Sequence, residues 1–247
     1  MKLVINKDIF EKIQYFLIEN ADLKVAEIGQ RFFKSPIKIH GISTPRVHKF
    51  SRDIFKEMKL SSKDEVFDLC EKLWETGYLE ECIVACNLSD FLAKDFSEDD
   101  FGIFEKWINL YVKNWATCDT FCNHTVGDFL IKYPKFVCEM KKWAISDNLW
   151  LRRASAVSLI LPIRRGFFMN ECFEIAEILL KDNEDLVQKG YGWMLKVASD
   201  YDLKRVFDFV MKRKPVMPRT ALRYAIEKMP KEYKIRAMEK GNYEKHS

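Results

Sequence analysis

Three tryptophans in the sequence are each followed, three or four positions later, by a charged residue. The pairs are Trp115 with Asp119, Trp150 with Arg153, and Trp193 with Lys196. Residues at these spacings lie on the same face of an α-helix. A charge beside a large apolar ring is costly unless it lies near solvent or has a compensating partner. For any single pair, a core tryptophan with a charge at its rim is the simpler explanation. Three pairs in register weaken that explanation and make the pairs candidates for a functional surface.

These residue types suit chemistry on a nucleic acid. Lysine and arginine bind phosphates, and indole rings pack against sugars or bases. A carboxylate such as Asp119 would repel phosphates, but it would stabilise a sugar that becomes positively charged when its glycosidic bond breaks. The combination predicts DNA or RNA binding together with cleavage of a glycosidic bond.

The elements that would position these residues are helices. Apolar residues recur at helical spacing almost throughout, strand-like alternation is scarce, and glycine and proline are few, so we expect an all-α protein of roughly a dozen helices. Ser62 and Glu65 form a capping box, Ser146 precedes a periodic segment, and Gly77 is a candidate helix stop. No linker divides the chain, so we expect a single HEAT-like repeat domain over residues 1–247.

The tryptophans also indicate a repeat. Trp115, Trp150 and Trp193 lie 35 and 43 positions apart, close to the period of HEAT-type helix pairs, which is about 40 residues. A second series is spaced by 33 and 36 and has no characteristic charged partner: Trp74, Trp107 and Trp143. We predict that the second series is core. Stacked antiparallel helix pairs would align the first series along the concave side of a HEAT-like or ARM-type α-solenoid.

Composition limits the class of protein. Residues 1–114 carry 17 Lys/Arg and 20 Asp/Glu, and residues 115–247 carry 24 and 17, so the second half is basic. This asymmetry fits a groove that binds a polyanion, and it also fits an ordinary solvated exterior. Seven scattered cysteines indicate reduced core thiols. No apolar run is long enough for a membrane span and no signal peptide is evident, so we expect a cytoplasmic protein. We expect a monomer, because a repeat array with one groove does not need a second copy. We expect no metal or other cofactor, because Cys118, Cys122 and His124 lack an evident fourth ligand.

Five segments in one order carry a resemblance to a known family. They are GISTP at 41–45, NWATCD at 114–119, VGDFLIKYP at 126–134, WAISDNLWLRRA at 143–154 and GWMLK at 192–196. Together they resemble the DNA alkylation repair family of HEAT-like-repeat glycosylases, the AlkD type. The similarity runs across nearly the whole chain.

The resemblance implies a monofunctional enzyme that removes positively charged alkylated purines, such as 3-methyladenine and 7-methylguanine, from duplex DNA in base excision repair. It implies that Asp119 is the catalytic carboxylate, that Trp115 and Trp193 flank the deoxyribose of the lesion, and that Arg153 contacts nearby phosphates. It also implies a reaction without a tight base-flipping pocket. Because the charged base is already a good leaving group, no general acid is required.

Two positions depart from the family pattern. Phe32 stands where a tyrosine is usual near the lesion, which removes a hydroxyl group. Lys196 stands where an arginine is usual, which keeps the positive charge but removes the guanidinium that can form two parallel hydrogen bonds. A core position is the alternative for Phe32. Ser43 and Thr44 in GISTP are candidates for a phosphate contact at a helix N-terminus, with simple N-capping as the alternative.

Two other classes of function fit the same residues. One is a non-catalytic relative that binds branched or damaged DNA through the same basic groove. The other is a HEAT-like scaffold that accepts a peptide or a partner helix, in which the tryptophan and charge pairs are incidental. The first predicts DNA binding without base release, and the second predicts weak DNA affinity with little dependence on salt.

Overall fold

The protein is all-α, as predicted. The computed structural model describes residues 2–58 and 61–239, and over these ranges the regular structure is helical, apart from an isolated β-bridge between Lys38 and Tyr78. Within the same ranges, no helix has both the length and the apolar character required to cross a membrane.

The chain divides into two compact units, Met1–Phe129 and Leu130–Ser247. The dividing point lies within helix α8, Gly127–Lys132. That the whole of 1–247 forms one domain stays a prediction.

The first unit is arranged around a buried central helix. Its helices, in chain order, are α1 Lys2–Glu19, α2 Leu23–Gln30, α3 Thr44–Glu57, α4 Lys63–Thr76, α5 Leu79–Phe91, α6 Asp100–Leu110 and α7 Trp115–Phe121, and α8 Gly127–Lys132 begins in it. A short π-helical segment, Cys122–Val126, continues α7. Helix α5 packs against α3, α4 and α7 and is buried from Glu80 to Ser89.

An aromatic cluster forms the core beside α5. Trp107 on α6 is fully buried and contacts the rings of Phe67, Phe104 and Phe121, with centroids 5.5–6.1 Å apart. Trp74 on α4 packs edge-on against Phe121 at 5.7 Å and is also buried. The prediction that these two tryptophans are core residues is confirmed.

The second unit is arranged around helix α13. Its helices are α9 Glu139–Ala144, α10 Leu149–Val157, α11 Ile160–Arg164, α12 Met169–Ile178, α13 Asp185–Ala198, α14 Leu203–Arg213, α15 Arg219–Ala225 and α16 Lys231–Met238. Helix α13 packs against α10, α11, α12 and α15, while α9 pairs with α10. Trp143 on α9 is buried, which confirms the third member of the core series.

Most of the predicted helix boundaries hold. Ser62 and Glu65 form the complete capping box at the start of α4, and Gly77 ends that helix in the left-handed conformation, with φ of 69°. The prediction that Ser146 caps α10 is wrong. The side chain of Asn148 accepts the Trp150 N–H at 2.9 Å, so α10 begins two residues later than expected, while the Ser146 hydroxyl accepts the Asn148 N–H in the preceding turn.

The cysteines are mostly core thiols, as predicted. Cys138 is exposed and the other six are buried. Burial raises the pKa of the Cys82 and Cys172 thiols to about 12, so these groups stay protonated at neutral pH and pack as small apolar side chains.

Candidate functional site

Trp115 is the first residue of α7 and is held from two sides. The side chain of Asn114 caps the helix by accepting the Thr117 N–H at 2.9 Å. The Trp115 indole N–H donates to the backbone carbonyl of Phe32 at 3.2 Å, and its ring stacks on Phe33 with centroids 5.4 Å apart and an interplanar angle of 20°. The indole is half-buried. Trp115 is therefore fixed in orientation while part of its surface stays accessible.

Asp119 lies one helical turn after Trp115. Helix α7 buries Thr117, Cys118 and Phe121, whereas Trp115 and Asp119 are both half-buried. The spacing of four residues places the two side chains on the same, partly exposed face of the helix. The π-helical turn Cys122–Val126 follows directly, and π-helical turns within helices are frequent at functional sites.

Phe32 is exposed, so the alternative of a core aromatic is wrong. Its side chain retains 69% of its maximal accessibility. The backbone around it is well anchored, because the Phe32 N–H donates to the Gly29 carbonyl at 3.1 Å. The Gln30 side chain also bridges the loop, donating to the Ser35 carbonyl and accepting the Ile37 N–H, each at 3.0 Å.

The loop that contains GISTP is held by a buried carboxylate. Glu80, at the start of α5, accepts the backbone N–H groups of His40 at 2.9 Å, Gly41 at 2.7 Å and Ile42 at 3.0 Å. Gly41 has φ of 88°, and a Cβ atom there would lie 2.1 Å from the Asp22 carbonyl oxygen. Only glycine fits this position.

Sequence reasoning missed Glu80, although a signal was present. Glu80 and Glu81 open the apolar run CIVACNL, which marks a buried helix, and a carboxylate at the start of a buried helix requires hydrogen-bond donors. In the structure the backbone of residues 40–42 supplies them.

Ser43 and Thr44 lie where the loop enters α3. Ser43 is the N-cap residue, but its side chain makes no capping hydrogen bond, so the alternative of capping by its hydroxyl is wrong. Both residues are exposed. Ser43 and Arg46 line a cavity of about 400 Å³ together with Glu19 and Asp22. The first turn of α3 is therefore open to a ligand, and whether that ligand is a phosphate stays a prediction.

His48 on α3 lies near His124 and Arg52. Burial lowers the pKa of His48, and electrostatic interaction with His124 and Arg52 lowers it further. His124 belongs to the π-helical turn that follows α7. The His48 imidazole is therefore mostly neutral at neutral pH.

Trp193 in the second unit lies on α13. Its indole is half-buried, and it makes no hydrogen bond or ring contact with any residue that the structure describes. The preceding Gly192 allows α13 to approach α15, because a Cβ atom at Gly192 would lie 2.6 Å from the Tyr224 Cβ atom. Close helix packing therefore positions Trp193, and its N–H is available to a ligand.

Arg153 is placed differently from the prediction of an open phosphate contact. The residue on α10 is only 4% exposed, and its guanidinium donates to the Leu186 carbonyl. Gly190 makes room for it, since a Cβ atom at that position would lie 3.3 Å from the Arg153 Cγ atom. Arg153 joins α10 to α13 in this structure, and its contact with DNA stays a prediction.

Lys196 is the more accessible of the two predicted cations. Its ammonium group lies 3.0 Å from a carboxylate oxygen of Glu227 and 5.7 Å from the centroid of the Tyr224 ring. The Glu227 carboxylate is mostly exposed, and ion pairs with an exposed partner are worth about 0–1 kcal/mol. A DNA phosphate could therefore replace Glu227 at little cost.

Comparisons with known proteins agree with the predicted family. The model of the family described as DNA alkylation repair enzyme matches residues 13–229, which is most of the chain. Among curated proteins, none matches at a significant level.

Three solved bacterial structures share this fold. A protein from Enterococcus faecalis described as a predicted DNA alkylation repair enzyme has 17% identity and a TM-score of 0.76, covering 85% of this chain and 97% of its own. AlkD2 from Streptococcus mutans has 18% identity and a TM-score of 0.59, with 83% and 97% covered. The protein smu.31 from Streptococcus mutans UA159 has 18% identity and a TM-score of 0.54, with 72% and 96% covered. The HEAT-like, AlkD-type fold class is therefore confirmed.

Proposed function

The chain belongs to the DNA alkylation repair enzyme family, and we propose that it is a monofunctional DNA glycosylase that excises positively charged alkylated purines, of the 3-methyladenine and 7-methylguanine type, from duplex DNA. The proposed enzyme acts as a monomer and without a cofactor. The observation that carries the proposal is the outward face of α7, where an indole of fixed orientation and a carboxylate lie one turn apart.

The proposed chemistry needs one carboxylate. Alkylation at a ring nitrogen gives the purine a positive charge, so the base leaves as a neutral molecule when its bond to C1′ breaks. The charge then passes to the deoxyribose as an oxocarbenium-like ion. The Asp119 carboxylate would stabilise that ion and orient the water molecule that attacks C1′, which gives a free base and an abasic site.

The tryptophans would hold the sugar rather than take part in bond breaking. Trp115 cannot easily turn away, because its N–H is bonded to the Phe32 carbonyl and its ring is stacked on Phe33. Trp193 has an accessible indole on α13. Indole faces attract a positively charged ring or sugar through their quadrupole, so each residue has the chemistry to contact a deoxyribose that gains charge in the transition state.

Binding of duplex DNA would also depend on residues other than Trp115 and Trp193. Lys196 is the best-supported phosphate contact, because an exposed glutamate partner is easily displaced. Ser43 and Thr44 are proposed contacts at the open first turn of α3. Arg153 would contribute by holding α10 against α13, with a direct phosphate contact only if its guanidinium leaves the Leu186 carbonyl.

The decisive experiment measures release of methylated bases from duplex DNA under single-turnover conditions. We expect Asp119→Asn to lower the rate about 100- to 1,000-fold, the size of effect seen when one preorganised electrostatic group is removed from an active site. Asp99→Asn is the matched control, because Asp99 is exposed, lies at the start of α6 and makes no side-chain capping bond. Equal rates for Asp119→Asn and wild type would remove Asp119 from the mechanism.

The same assay separates a second function. Lys196 stands where an arginine is usual and cannot bind a phosphate with two parallel hydrogen bonds, which favours a relative that binds damaged or branched DNA without cutting it. If wild-type protein binds methylated duplex but releases no base, this second function is correct. If it binds no duplex at physiological salt, both are wrong and the scaffold interpretation gains support.

A further inference from the structure

The turn that leads from α11 into α12 has a strained backbone. It consists of residues 164–168, RRGFF, and is called the arginine turn below. Gly166 has φ of 83° and Phe168 has φ of 59°, so both lie in the left-handed region, which a bulky residue rarely adopts. The Phe167 N–H donates to the Pro162 carbonyl at 3.0 Å, which fixes the turn. Strained residues of this kind cluster at functional sites.

The arginine turn presents a cation beside an apolar ring. Phe167 is 40% exposed. Arg164 is also exposed, and its guanidinium makes no hydrogen bond or ion pair with any residue in 2–58 or 61–239. Residues 148–170 contain four arginines and no carboxylate. The turn therefore offers a positive charge that the fold does not use.

A tyrosine of the following loop connects the arginine turn to the end of α13. The Tyr201 hydroxyl donates to the Arg164 backbone carbonyl, while Tyr201 itself is 52% exposed. Lys196 lies in the last turn of α13, five positions before Tyr201. The neighbouring Asp200 carboxylate lies 2.9 Å from the Lys228 ammonium group, which reduces its repulsion of an anion. Arg164 and the proposed phosphate contact Lys196 thus belong to the same end of α13.

We propose that the arginine turn binds the sugar–phosphate backbone of the duplex to one side of the lesion, with Arg164 on a phosphate and Phe167 against a deoxyribose. This inference rests on the duplex binding that the proposed function requires. Helix α13 has 14 residues and is about 21 Å long, the length of about six base pairs. A longer duplex held by Lys196 extends beyond the helix, and the arginine turn lies at that end.

The chemistry of the arginine turn matches a DNA strand. A strand alternates phosphates with deoxyribose rings, so a cation and an apolar ring on one fixed turn can contact successive groups of the same strand. Contacts of this type carry no sequence information, but they fix the register and orientation of a protein on the duplex. The turn would therefore help to align the duplex without touching the base that is removed.

Salt dependence tests the phosphate contact. The probe is a duplex of about 25 base pairs with a central tetrahydrofuran abasic analogue, and its affinity is measured by fluorescence anisotropy from about 50 to 200 mM salt. We expect Arg164→Ala to lower the slope of log affinity against log salt by about 0.9, the value for one phosphate. Arg164→Lys should retain the slope. An unchanged slope in Arg164→Ala would overturn the contact.

Phe167→Ala tests the apolar half of the surface. It removes no charge, so we expect affinity to fall by the same factor at every salt concentration, about 2- to 10-fold for partial burial of one aromatic ring. An affinity equal to that of wild type would remove Phe167 from the interface.

Single methylphosphonate substitutions in the same duplex locate the contact, because each one removes the charge of one phosphate. We expect one position outside the lesion nucleotide at which the substitution weakens binding of wild type but not of Arg164→Ala. If no position behaves in this way, or if the position is a phosphate of the lesion nucleotide itself, the proposed contact beside the lesion is wrong.

Lys212→Ala is the matched control. It removes one exposed cation at the end of α14 that is remote from Tyr201, so it should leave the salt slope unchanged. Equal changes of slope in Lys212→Ala and Arg164→Ala would show an effect of net charge alone and contradict a specific contact.

These outcomes distinguish the arginine turn from the proposed function, because the abasic duplex needs no bond cleavage. A changed slope in Arg164→Ala without release of methylated bases by wild type would keep the contact and remove the glycosylase. Base release by wild type with an unchanged slope in Arg164→Ala would keep the glycosylase and remove the contact, leaving an acidic protein surface as the alternative occupant. No duplex binding by wild type would overturn both.

Discussion

The six tryptophans occupy two kinds of environment. Trp74, Trp107 and Trp143 are buried among other core residues, whereas Trp115 on α7, Trp150 on α10 and Trp193 on α13 are half-buried. Residue type and approximate spacing are the same in both series. The series differ in the other residues on the helix face that carries each tryptophan, because a charged residue shares that face with Trp115, Trp150 and Trp193.

The hydrogen bonding of Trp74 and of Trp115 also differs. The indole N–H of buried Trp74 has no hydrogen-bond partner among the described residues, whereas the N–H of Trp115 is bonded to the Phe32 carbonyl. A core tryptophan is held by the volume that it fills, and Trp115 is held by a directed bond. The core series of Trp74, Trp107 and Trp143 therefore contributes stability, and we expect the half-buried series of Trp115, Trp150 and Trp193 to contribute to a site.

Loss of a core tryptophan should have the largest effect on stability. Trp107→Ala removes a fully buried indole from the cluster of phenylalanines and leaves a cavity, so we expect the free energy of unfolding to fall by about 3–5 kcal/mol. Chemical denaturation followed by circular dichroism measures it.

Trp193→Ala is the control for Trp107→Ala. The Trp193 indole is half-buried and makes no hydrogen bond, so its loss should lower the free energy of unfolding by less than half as much as Trp107→Ala does. Base release should fall by more than the smaller fraction of folded protein accounts for. Equal losses of stability would show that the two series do not differ in the way proposed.

Close helix packing around Trp193 should give an intermediate effect. In Gly192→Ala the new Cβ atom would lie 2.6 Å from the Tyr224 Cβ atom and 2.9 Å from the Ala221 carbonyl oxygen, so α13 and α15 must separate. We expect a loss of about 1–3 kcal/mol, and each kcal/mol lowers Tm by about 2–4 °C in a protein of this size.

Gly102→Ala is the matched substitution on α6. Nothing lies within 4 Å of the added Cβ atom, so the higher helix propensity of alanine should stabilise the protein by up to about 1 kcal/mol. If Gly192→Ala were also neutral or stabilising, helix packing would not be what positions Trp193.

Periodicity was sufficient to predict the fold class and the core series. It also separated the tryptophans correctly, because Asp119, Arg153 and Lys196 each share a helix with their tryptophan. Asp147 shows the limit of the rule: it follows Trp143 by four positions, but α9 ends at Ala144, so the two residues do not share a helix face. Spacing predicts a shared face only where the helix boundaries are known.

Contacts between distant parts of the chain were not predictable. Glu80 accepts N–H groups from residues 40–42, and the Phe32 carbonyl accepts the Trp115 indole N–H across 83 positions. Arg153 was expected at a DNA surface, yet it is buried against α13 because Gly190 leaves space for it. Neither propensity nor local pattern contains this information, since each contact depends on how helices pack.

The smallest expected effect on stability tests the directed bond. Trp115→Phe keeps an aromatic ring over Phe33 but removes the N–H that donates to Phe32, and water can replace that donor at a half-buried position. We therefore expect a loss of less than about 1 kcal/mol in the free energy of unfolding. Single-turnover base release should nevertheless fall about tenfold or more, because the ring loses its fixed orientation and a displacement of about 1 Å is enough for such losses.

Trp74→Phe makes the same chemical change in the core and should give the opposite pattern. Removing an unpaired buried N–H offsets part of the cost of the smaller ring, so stability changes by about 1–2 kcal/mol while base release per folded molecule stays at the wild-type rate. Together the two variants show whether a tryptophan acts through the volume that it fills or through the hydrogen bond that fixes its orientation. If Trp115→Phe released bases at the wild-type rate, the hydrogen bond to Phe32 would be a feature of folding alone, and the difference between the two series would be one of burial and not of function.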